Sequence, residues 1–350
     1  MRSDAKQYVC VCGQGWSGSL AVVEYLNDFS DCYAINTEID VCLREFGIFG
    51  MYLLLEQNVP IYGVLDRFDT YIHHVAPRIN YMPHVCEKSL EEELLRISKE
   101  FLDKICWRST RNFYTHDLCF IDKIIKNCVA VPVFKGDSLK TKLKKALFRR
   151  IINGKDATLQ VECPMLTQPK DILRVCVTTD EYKEAAKQFL RDYAALFTDK
   201  PKFIVDNFVD LEFLSDGTFD KLRSFFDDLK VVFVCRDPRD QFVSQSKRGI
   251  CSDERVDEFI RLSKERSWKN YPHNNPSILD VRFEDFVLKH EETSKKILDF
   301  LGIDAAGKIA EPKYDLDFSK NNVGRWKAYP NQKVMEKIAS ELKEYIYDEQ

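Results

Sequence analysis

The amino-acid sequence predicts an α/β protein with an open, mostly parallel sheet flanked by helices. Two runs of apolar residues, 8–12 and 231–235, show no alternation with polar residues, which is typical of strands covered on both faces. Shorter apolar runs at 203–205 and 278–283 add two candidate strands. Helix-like stretches separate these runs, so strand and helix patterns alternate as they do in open α/β folds.

The helical stretches follow from the spacing of their apolar residues. Apolar positions recur at helical spacing over 20–26, 219–229, 256–268 and 291–301, which predicts four amphipathic helices. The middle of the chain is less regular and mostly helical in character. We therefore expect one domain, 1–350, in which residues 40–200 form a largely helical elaboration on the sheet rather than a separate core.

Composition excludes several classes of protein. The chain has 350 residues, of which 45% are hydrophobic and 31% charged, as in ordinary globular proteins. Its net charge of −4 argues against a general polyanion binder, so we expect no nucleic-acid partner. The 12 cysteines include no Cys-x-x-Cys pair, and no cluster requires a metal. Reduced, buried cysteines and the absence of a visible signal or membrane-spanning segment predict a cytoplasmic protein.

One charge cluster stands out in the middle of the chain. Residues 135–155 hold eight basic residues and one acid, and apolar residues recur there every four positions. This pattern fits a solvated amphipathic helix packed on the core. It also fits a clamp on an anionic ligand or a peripheral contact with an anionic membrane surface.

The segment 13–19, Gly-Gln-Gly-Trp-Ser-Gly-Ser, joins the first predicted strand to a helix. Glycines let successive backbone N–H groups point inward, and the helix adds its positive N-terminal end, so the loop suits a phosphate or sulfate. A plain tight turn is the alternative. The Gly-Lys-Ser/Thr ending of a Walker A loop is absent, which argues against an ATPase or GTPase.

A second motif closes the strand at 231–235. Arg236 opens the segment Arg-Asp-Pro-Arg-Asp at 236–240, and Ser244 follows at helical spacing from Asp240. A guanidinium at a strand end can bind a phosphate with two hydrogen bonds, and the serine can donate to the same oxygens. A structural salt bridge between Arg236 and a nearby acid is the alternative.

Four segments, in this order, resemble the PAPS-dependent sulfotransferases, PAPS being 3′-phosphoadenosine 5′-phosphosulfate. Residues 13–19 resemble the 5′-phosphosulfate loop, and 232–240 with Ser244 resemble the 3′-phosphate motif. Residues 281–302 are similar to the family's Val-Arg-Tyr-Glu-Asp-Leu strand and the helix after it, and 323–327 resemble the Gly-x-Trp-Lys segment near the C-terminus. The resemblance implies a P-loop-like α/β fold, PAPS as co-substrate, its desulfated form PAP as product, and no metal.

The resemblance also implies which residues bind the co-substrate. Gly15, Trp16, Ser17, Gly18 and Ser19 would hold the 5′-phosphosulfate, Arg236 and Ser244 the 3′-phosphate, and Lys320, Gly324 and Arg325 would close over it. Two departures lower the expected positive charge. Trp16 stands where the family usually carries Lys or Arg, and Ser-Lys-Asn at 319–321 stands where Arg-Lys-Gly is usual. Lys135 is a candidate for the missing cation.

The transfer needs a base near the acceptor oxygen. Glu38 follows the loop and its helix at about the interval of the catalytic glutamate in heparan-type sulfotransferases. Asp206, at the end of another predicted strand, is the second candidate, because ligands bind at the carboxyl ends of strands in open α/β sheets. Asn207 is a candidate substrate contact. None of the six histidines lies in a recognisable motif, and surface or structural roles are expected for them.

The sequence therefore predicts a PAPS-dependent sulfotransferase that moves a sulfuryl group, by in-line transfer with a carboxylate base, to a hydroxyl or amino group. By analogy we favour a glycan or glycolipid acceptor, with acceptor choice in residues 40–200. Two alternatives stay open: a P-loop kinase acting on a small molecule, and a catalytically inactive nucleotide-binding protein. The missing Walker lysine argues against the first, and the missing loop cation supports the second.

Overall fold

The computed structural model describes residues 7–35, 42, 46–58, 62–79, 89–109, 172–196, 202–206, 217–265 and 275–348. The chain divides into two compact units. One contains Met1–Ile105 with Val177–Gln350, and the other is Cys106–Cys176. In the second unit, strands β3 (Cys106–Ser109) and β4 (Ile172–Val175) pair antiparallel. The features described below belong to the first unit.

A five-stranded parallel sheet forms the centre of the first unit. Its strands are β1 (Gln7–Gly13), β2 (Cys32–Ile35), β5 (Phe203–Asp206), β6 (Asp228–Cys235) and β7 (Ile278–Arg282). They lie in the order β2-β5-β1-β6-β7, and every neighbouring pair is parallel. The predicted α/β class with an open parallel sheet flanked by helices is confirmed.

Twelve α-helices are described in the first unit. They are α1 (Ser19–Leu26), α2 (Ile48–Glu56), α3 (Tyr62–Ile79), α4 (Ser89–Ile105), α5 (Thr179–Ala195), α6 (Thr218–Arg223), α7 (Pro238–Ser246), α8 (Val256–Glu265), α9 (Phe283–Leu288), α10 (His290–Leu301), α11 (Leu316–Lys320) and α12 (Gln332–Glu341). Within the region expected to be a helical elaboration, α2 to α5 are helical, and residues 110–171, with the basic cluster 135–155, lie outside the described residues.

The predicted helix over 219–229 is wrong at its C-terminal end. Helix α6 ends at Arg223, and β6 begins at Asp228. Phe225, Phe226 and Leu229 continue the apolar pattern, but Leu229 pairs with Tyr8 of β1. Pairing with a neighbouring strand therefore overrides the local helical pattern.

Both faces of the sheet are buried, which explains the unbroken apolar runs in β1 and β6. Val9 and Val11 point into the cluster that α1 and α10 cover, together with Val232 and Val234 of β6. The alternate residues of these strands are buried too, including Cys10, Cys12, Phe233 and Cys235. The three cysteines are buried and form no disulfide, as predicted for these strands.

Within the described part of the chain, none of the helices has the length and apolar character that crossing a lipid bilayer requires.

Candidate functional site

The loop after β1 packs tightly against the neighbouring strand. A side chain at Gly13 would place its Cβ 2.1 Å from the carbonyl oxygen of Val234 on β6. The backbone N–H of Ser17 donates to the carbonyl of Gln14 at 2.9 Å, which closes a turn. The loop is therefore held at the carboxyl end of the sheet, directly before α1 begins at Ser19.

Two residues of this loop adopt left-handed backbone conformations. Gly18 has φ of 88°, and a Cβ there would lie 2.3 Å from the ring of Phe283. Trp16 has φ of 69° without being glycine, a conformation that costs roughly 1–2 kcal/mol for an L-residue. Such backbone strain in a non-glycine residue concentrates at functional sites. Gly15, in contrast, has open space where a Cβ would lie.

Ser17 presents a polar atom that none of the described residues satisfies. The residue is 1% exposed, and its Oγ has no hydrogen-bond partner in the described part of the chain. A buried hydroxyl without a partner costs free energy that a bound ligand can recover. Together with the N-terminus of α1, the hydroxyl makes the loop suited to an anion.

Arg236 joins this loop to two other segments. Its Nη1 donates to the carbonyl oxygen of Trp16 at 3.1 Å and to the Oγ of Ser244 at 3.3 Å. Its Nη2 donates to the carbonyl oxygen of Asn322. The structure thus brings together the loop, the strand-end arginine and the serine named from the sequence.

Arg236 is 7% exposed, and its Nε–H is buried with no hydrogen-bond partner among the described residues. Burial lowers the pKa of Arg236, an effect that the carboxylates of Asp240 and Glu284 oppose and the charge of Arg325 reinforces. All three described hydrogen bonds of Arg236 are to neutral groups. The alternative interpretation, a structural salt bridge between Arg236 and an acid, therefore does not describe these contacts. A desolvated guanidinium with a donor to spare is suited to bind an anion.

Asp240 ties the strand-end motif to the C-terminal segment. Its Oδ2 accepts the backbone N–H of Gly324 at 2.7 Å, and its Oδ1 accepts that of Trp326 at 3.0 Å. Burial raises the pKa of Asp240, an effect that Arg236 and the two amides oppose. The carboxylate thereby holds residues 322–326 beside Arg236.

A network of charged groups next to Asp240 holds the residues around Arg236 in place. Asp237 accepts the backbone N–H of Arg239 at 2.8 Å and its Nε at 3.0 Å, and the guanidinium of Arg239 lies 3.7 Å from the ring centroid of Trp326. The buried carboxylate of Glu284 accepts the N–H of Asp237 at 2.7 Å. These contacts position the start of α7, the helix that carries Ser244.

The C-terminal cations predicted to close over the site have different surroundings. Lys320 forms an exposed ion pair with Asp317 at 3.0 Å. Arg325 donates from Nε to the carbonyl of Asn321 at 2.8 Å, and its charge acts on Arg236. The structure therefore brings Arg325 and Gly324 to Arg236, whereas the recorded partner of Lys320 is a surface acid.

Of the two predicted general bases, the structure describes Asp206 but not Glu38. Strand β5 ends at Asp206, whose backbone pairs with Cys10, three residues before Gly13. At 3.2–3.4 Å per residue, that strand end lies roughly 10 Å short of the loop along β1. Glu38, Asn207 and Lys135 lie outside the described residues.

Sequence reasoning missed two residues of this site. Asn322 contributes its carbonyl oxygen, which side-chain type cannot reveal. Arg248 has its guanidinium carbon 5.4 Å from the ring centroid of Trp16. Its position four residues after Ser244, one helical turn on, is a signal that could have placed it near the same helix end. Among the described residues, no group of three or more His, Cys, Asp or Glu is arranged to hold a metal ion.

Residues 217–307 match the sequence model of a family described as the sulfotransferase family. The predicted resemblance to the sulfotransferases is confirmed. The matched sulfotransferase segment contains β6, Arg236, Ser244 and β7, and therefore the centre of the site described above. No curated protein sequence matches the chain.

Three sulfotransferases are among the solved structures to which the chain is similar. They are the sulfotransferase domain of the olefin synthase of Synechococcus PCC 7002 (12% identity, TM-score 0.39, 99% of this chain and 96% of that chain), the sulfotransferase domain of the curacin biosynthetic pathway (12%, 0.34, 98% and 99%), and sulfotransferase STF9 of Mycobacterium avium (8%, 0.35, 97% and 77%). The family match supports sulfotransfer in general as the chemistry of this protein.

Proposed function

We propose that this protein is a PAPS-dependent sulfotransferase that transfers a sulfuryl group to a hydroxyl or amino group of its acceptor. One observation carries the proposal: the buried guanidinium of Arg236 contacts both the loop after β1 and Ser244, and keeps an unpartnered Nε–H. Two anion-binding features that are far apart in sequence therefore meet at one point. A nucleotide with phosphate groups on its 3′ and 5′ oxygens would need such a pair of neighbouring sites.

The described residues fit this co-substrate. The unpartnered Ser17 hydroxyl and the open space at Gly15 suit a 5′-phosphosulfate group, and Arg236 with Ser244 suits a 3′-phosphate. When bound, PAPS supplies the sulfuryl group and leaves as PAP. The residues that would hold it are Gly15, Trp16, Ser17, Gly18, Ser19, Arg236, Ser244, Lys320, Gly324 and Arg325.

An acceptor hydroxyl must lose a proton, and a correctly placed general base contributes typically 10²–10⁴-fold to a rate. Glu38 and Asp206 are the candidates for this role. We expect Glu38→Gln to leave PAP affinity nearly unchanged and to abolish transfer to a responsive acceptor. Full activity of Glu38→Gln would make Asp206 the candidate, with Asp206→Asn as the next variant to assay.

The acceptor and the cellular location belong to the same proposal. The glutamate type of base and the basic cluster 135–155 favour a glycan or glycolipid acceptor and a peripheral contact with an anionic membrane. The eight described cysteines form no disulfide, which fits a reducing compartment such as the cytoplasm.

A catalytically inactive nucleotide-binding protein is the second candidate, because Trp16 occupies the loop position where sulfotransferases usually carry a cation. Such a protein would bind PAP but would transfer nothing. Activity with a panel of glycan, glycolipid and small hydroxyl acceptors separates it from an enzyme.

The test is calorimetric titration of the purified protein with PAP and, separately, with ATP. We expect the wild type to bind PAP, and Arg236→Ala and Arg236→Lys to weaken that binding by roughly 10- to 100-fold, as loss of a charge-assisted hydrogen bond predicts. Arg255→Ala is the control, because Arg255 is exposed and pairs with Glu258 at 2.8 Å. Circular dichroism verifies that each variant is folded. Absence of PAP binding by the wild type would overturn the proposal, and ATP binding with turnover would instead support a kinase.

A further inference from the structure

The loop of this protein lacks a cation at the position where sulfotransferases usually carry one. Trp16 occupies that position, and the residue is 37% exposed. The guanidinium of Arg248 lies against the ring, with 5.4 Å between its central carbon and the ring centroid. This distance is within the range of cation–π interactions, which Arg and Trp form most favourably.

The backbone on both sides of this contact is fixed. Trp16 lies, in its left-handed conformation, within the turn that the Ser17 N–H closes on the carbonyl of Gln14, and its own carbonyl oxygen accepts a hydrogen bond from Arg236. Arg248 lies in a turn at the end of α7, where its N–H donates to the carbonyl of Gln245 at 3.1 Å and the N–H of Ile250 donates to the same carbonyl at 3.0 Å. The ring is therefore a platform that determines where the Arg248 guanidinium lies.

The charge of Arg248 has no acidic partner among the described residues, although its side chain is exposed. Nearby exposed arginines are paired: Arg255 with Glu258 at 2.8 Å, and Arg261 with Glu265 at 2.6 Å. An exposed arginine that rests on an aromatic ring keeps its hydrogen-bond donors free for a ligand.

We propose that Arg248, positioned by the ring of Trp16, supplies the cation that the loop lacks and binds the sulfate or phosphate ester group held by residues 15–19. In this protein the positive charge would come from the Arg248 guanidinium, which follows α7 and rests on the Trp16 ring, instead of from a basic side chain on the loop itself. Helix α7 also carries Ser244, which contacts Arg236 in the part of the site proposed for the 3′-phosphate. The helix and the turn after it would therefore contribute to the binding of both anionic groups. This inference rests on the proposed function, because it concerns the same co-substrate.

The test compares two ligands that differ only at the group in question: PAP, and adenosine 3′-monophosphate, which lacks the 5′-phosphate. We expect Arg248→Gln to weaken PAP binding by about 5- to 20-fold and to leave binding of adenosine 3′-monophosphate within twofold, because one partly solvated charged contact is lost. Arg236→Lys should weaken both ligands. Lys247→Gln is the matched control, since it removes the same charge one residue away.

A double variant tests whether position 16 and Arg248 serve the same group. Adding Trp16→Lys to Arg248→Gln places a cation directly on the loop, and we expect it to restore most of the lost PAP affinity. Equal effects of Arg248→Gln and Lys247→Gln, equal losses for the two ligands, or no restoration in a folded double variant would each overturn the inference. If the wild type binds no PAP, the proposed function itself fails; if Arg236→Lys weakens PAP and Arg248→Gln does not, only this inference fails.

Discussion

The carboxylate of Asp240 holds the backbone of Trp326, whose N–H lies 3.0 Å from Oδ1. The second oxygen accepts the N–H of Gly324 at 2.7 Å, so one side chain organises two amides that lie more than 80 positions further along the chain. Since Asn322, in the same segment, accepts a hydrogen bond from Arg236, the order of the C-terminal segment and the position of the guanidinium are linked. Asp240 therefore connects the stability of the fold to the geometry of the candidate site around Arg236.

Asp240→Ala is expected to destabilise the protein by roughly 1–3 kcal/mol, because it leaves the part-buried amides of Gly324 and Trp326 without their acceptor. Urea denaturation measures the loss. Hydrogen exchange should also accelerate at the amides of Gly324 and Trp326. Asp299→Ala is the control, since Asp299 is exposed and pairs with Lys295 on one helix; a similar loss in the control would contradict a specific role for Asp240.

Gly18→Ala is expected to destabilise the protein by about 2–5 kcal/mol. An alanine in this left-handed backbone conformation costs roughly 1–2 kcal/mol. The collision of its methyl group with the ring of Phe283 adds about 1–3 kcal/mol. Gly217→Ala separates the two terms, because Gly217 has a φ of 78° and open space around its Cβ position. Equal losses in urea denaturation would show that the Phe283 contact contributes nothing.

His290 is expected to make stability depend on pH near neutrality. Burial lowers the pKa of its imidazole below 6.5, and the charges of Lys308 and Lys320 act in the same direction, while its hydrogen bond to Phe286 and the charge of Glu291 oppose them. The folded chain then binds the proton less tightly than the unfolded chain. The full contribution of His290 to the free energy of unfolding is therefore present above about pH 6.5. It decreases as the pH falls from there towards the lower pKa of the folded state.

His290→Gln removes this titration and keeps a polar group at the site. Urea denaturation of both proteins between pH 5 and pH 8, roughly the range in which histidine titrates, measures the difference. The wild type should lose more stability than the variant as the pH falls below about 6.5. Parallel pH profiles for the two proteins would contradict the prediction.

Thr178→Ala is expected to cost about 1 kcal/mol, the usual loss for a helix N-cap. The Thr178 Oγ1 accepts the backbone N–H of Glu181 at 3.3 Å, and the Glu181 carboxylate accepts the backbone N–H of Thr178 at 2.8 Å, which completes a capping box at the start of α5. Thr178→Ser keeps the hydroxyl and should restore most of the stability. Equal melting temperatures for wild type and Thr178→Ala would show that the cap is dispensable.

Local sequence pattern was sufficient for the parts of the fold whose cause is local. The unbroken apolar runs of β1 and β6 predicted buried parallel strands, because a strand covered on both faces needs apolar residues at every position. The eight-residue interval predicted that Arg236 and Ser244 lie close together, and their side chains are in contact, because helical spacing is a property of a short segment. That the glycine-rich loop and Arg236 bind an anion stays a prediction.

Pattern failed where distant segments compete or combine. The helix predicted over 219–229 ended early because Leu229 pairs with Tyr8, a contact 221 positions away in the chain. The backbone carbonyl of Asn322 accepts a hydrogen bond from Arg236. Every residue has such a carbonyl, so the residue type at 322 could not predict this contact, which depends only on where the chain places the carbonyl.

The sequence alone thus determined that this protein has an α/β sheet, a glycine-rich loop after its first strand, and an arginine and serine suited to an anion. Tertiary structure decided that the Trp16 carbonyl meets Arg236, that Asp240 holds the segment around Trp326, and that Arg248 rests on the Trp16 ring. The physical reason is that periodicity and backbone freedom are encoded within a few residues. Which charges meet depends on how strands and helices from opposite ends of the chain pack together.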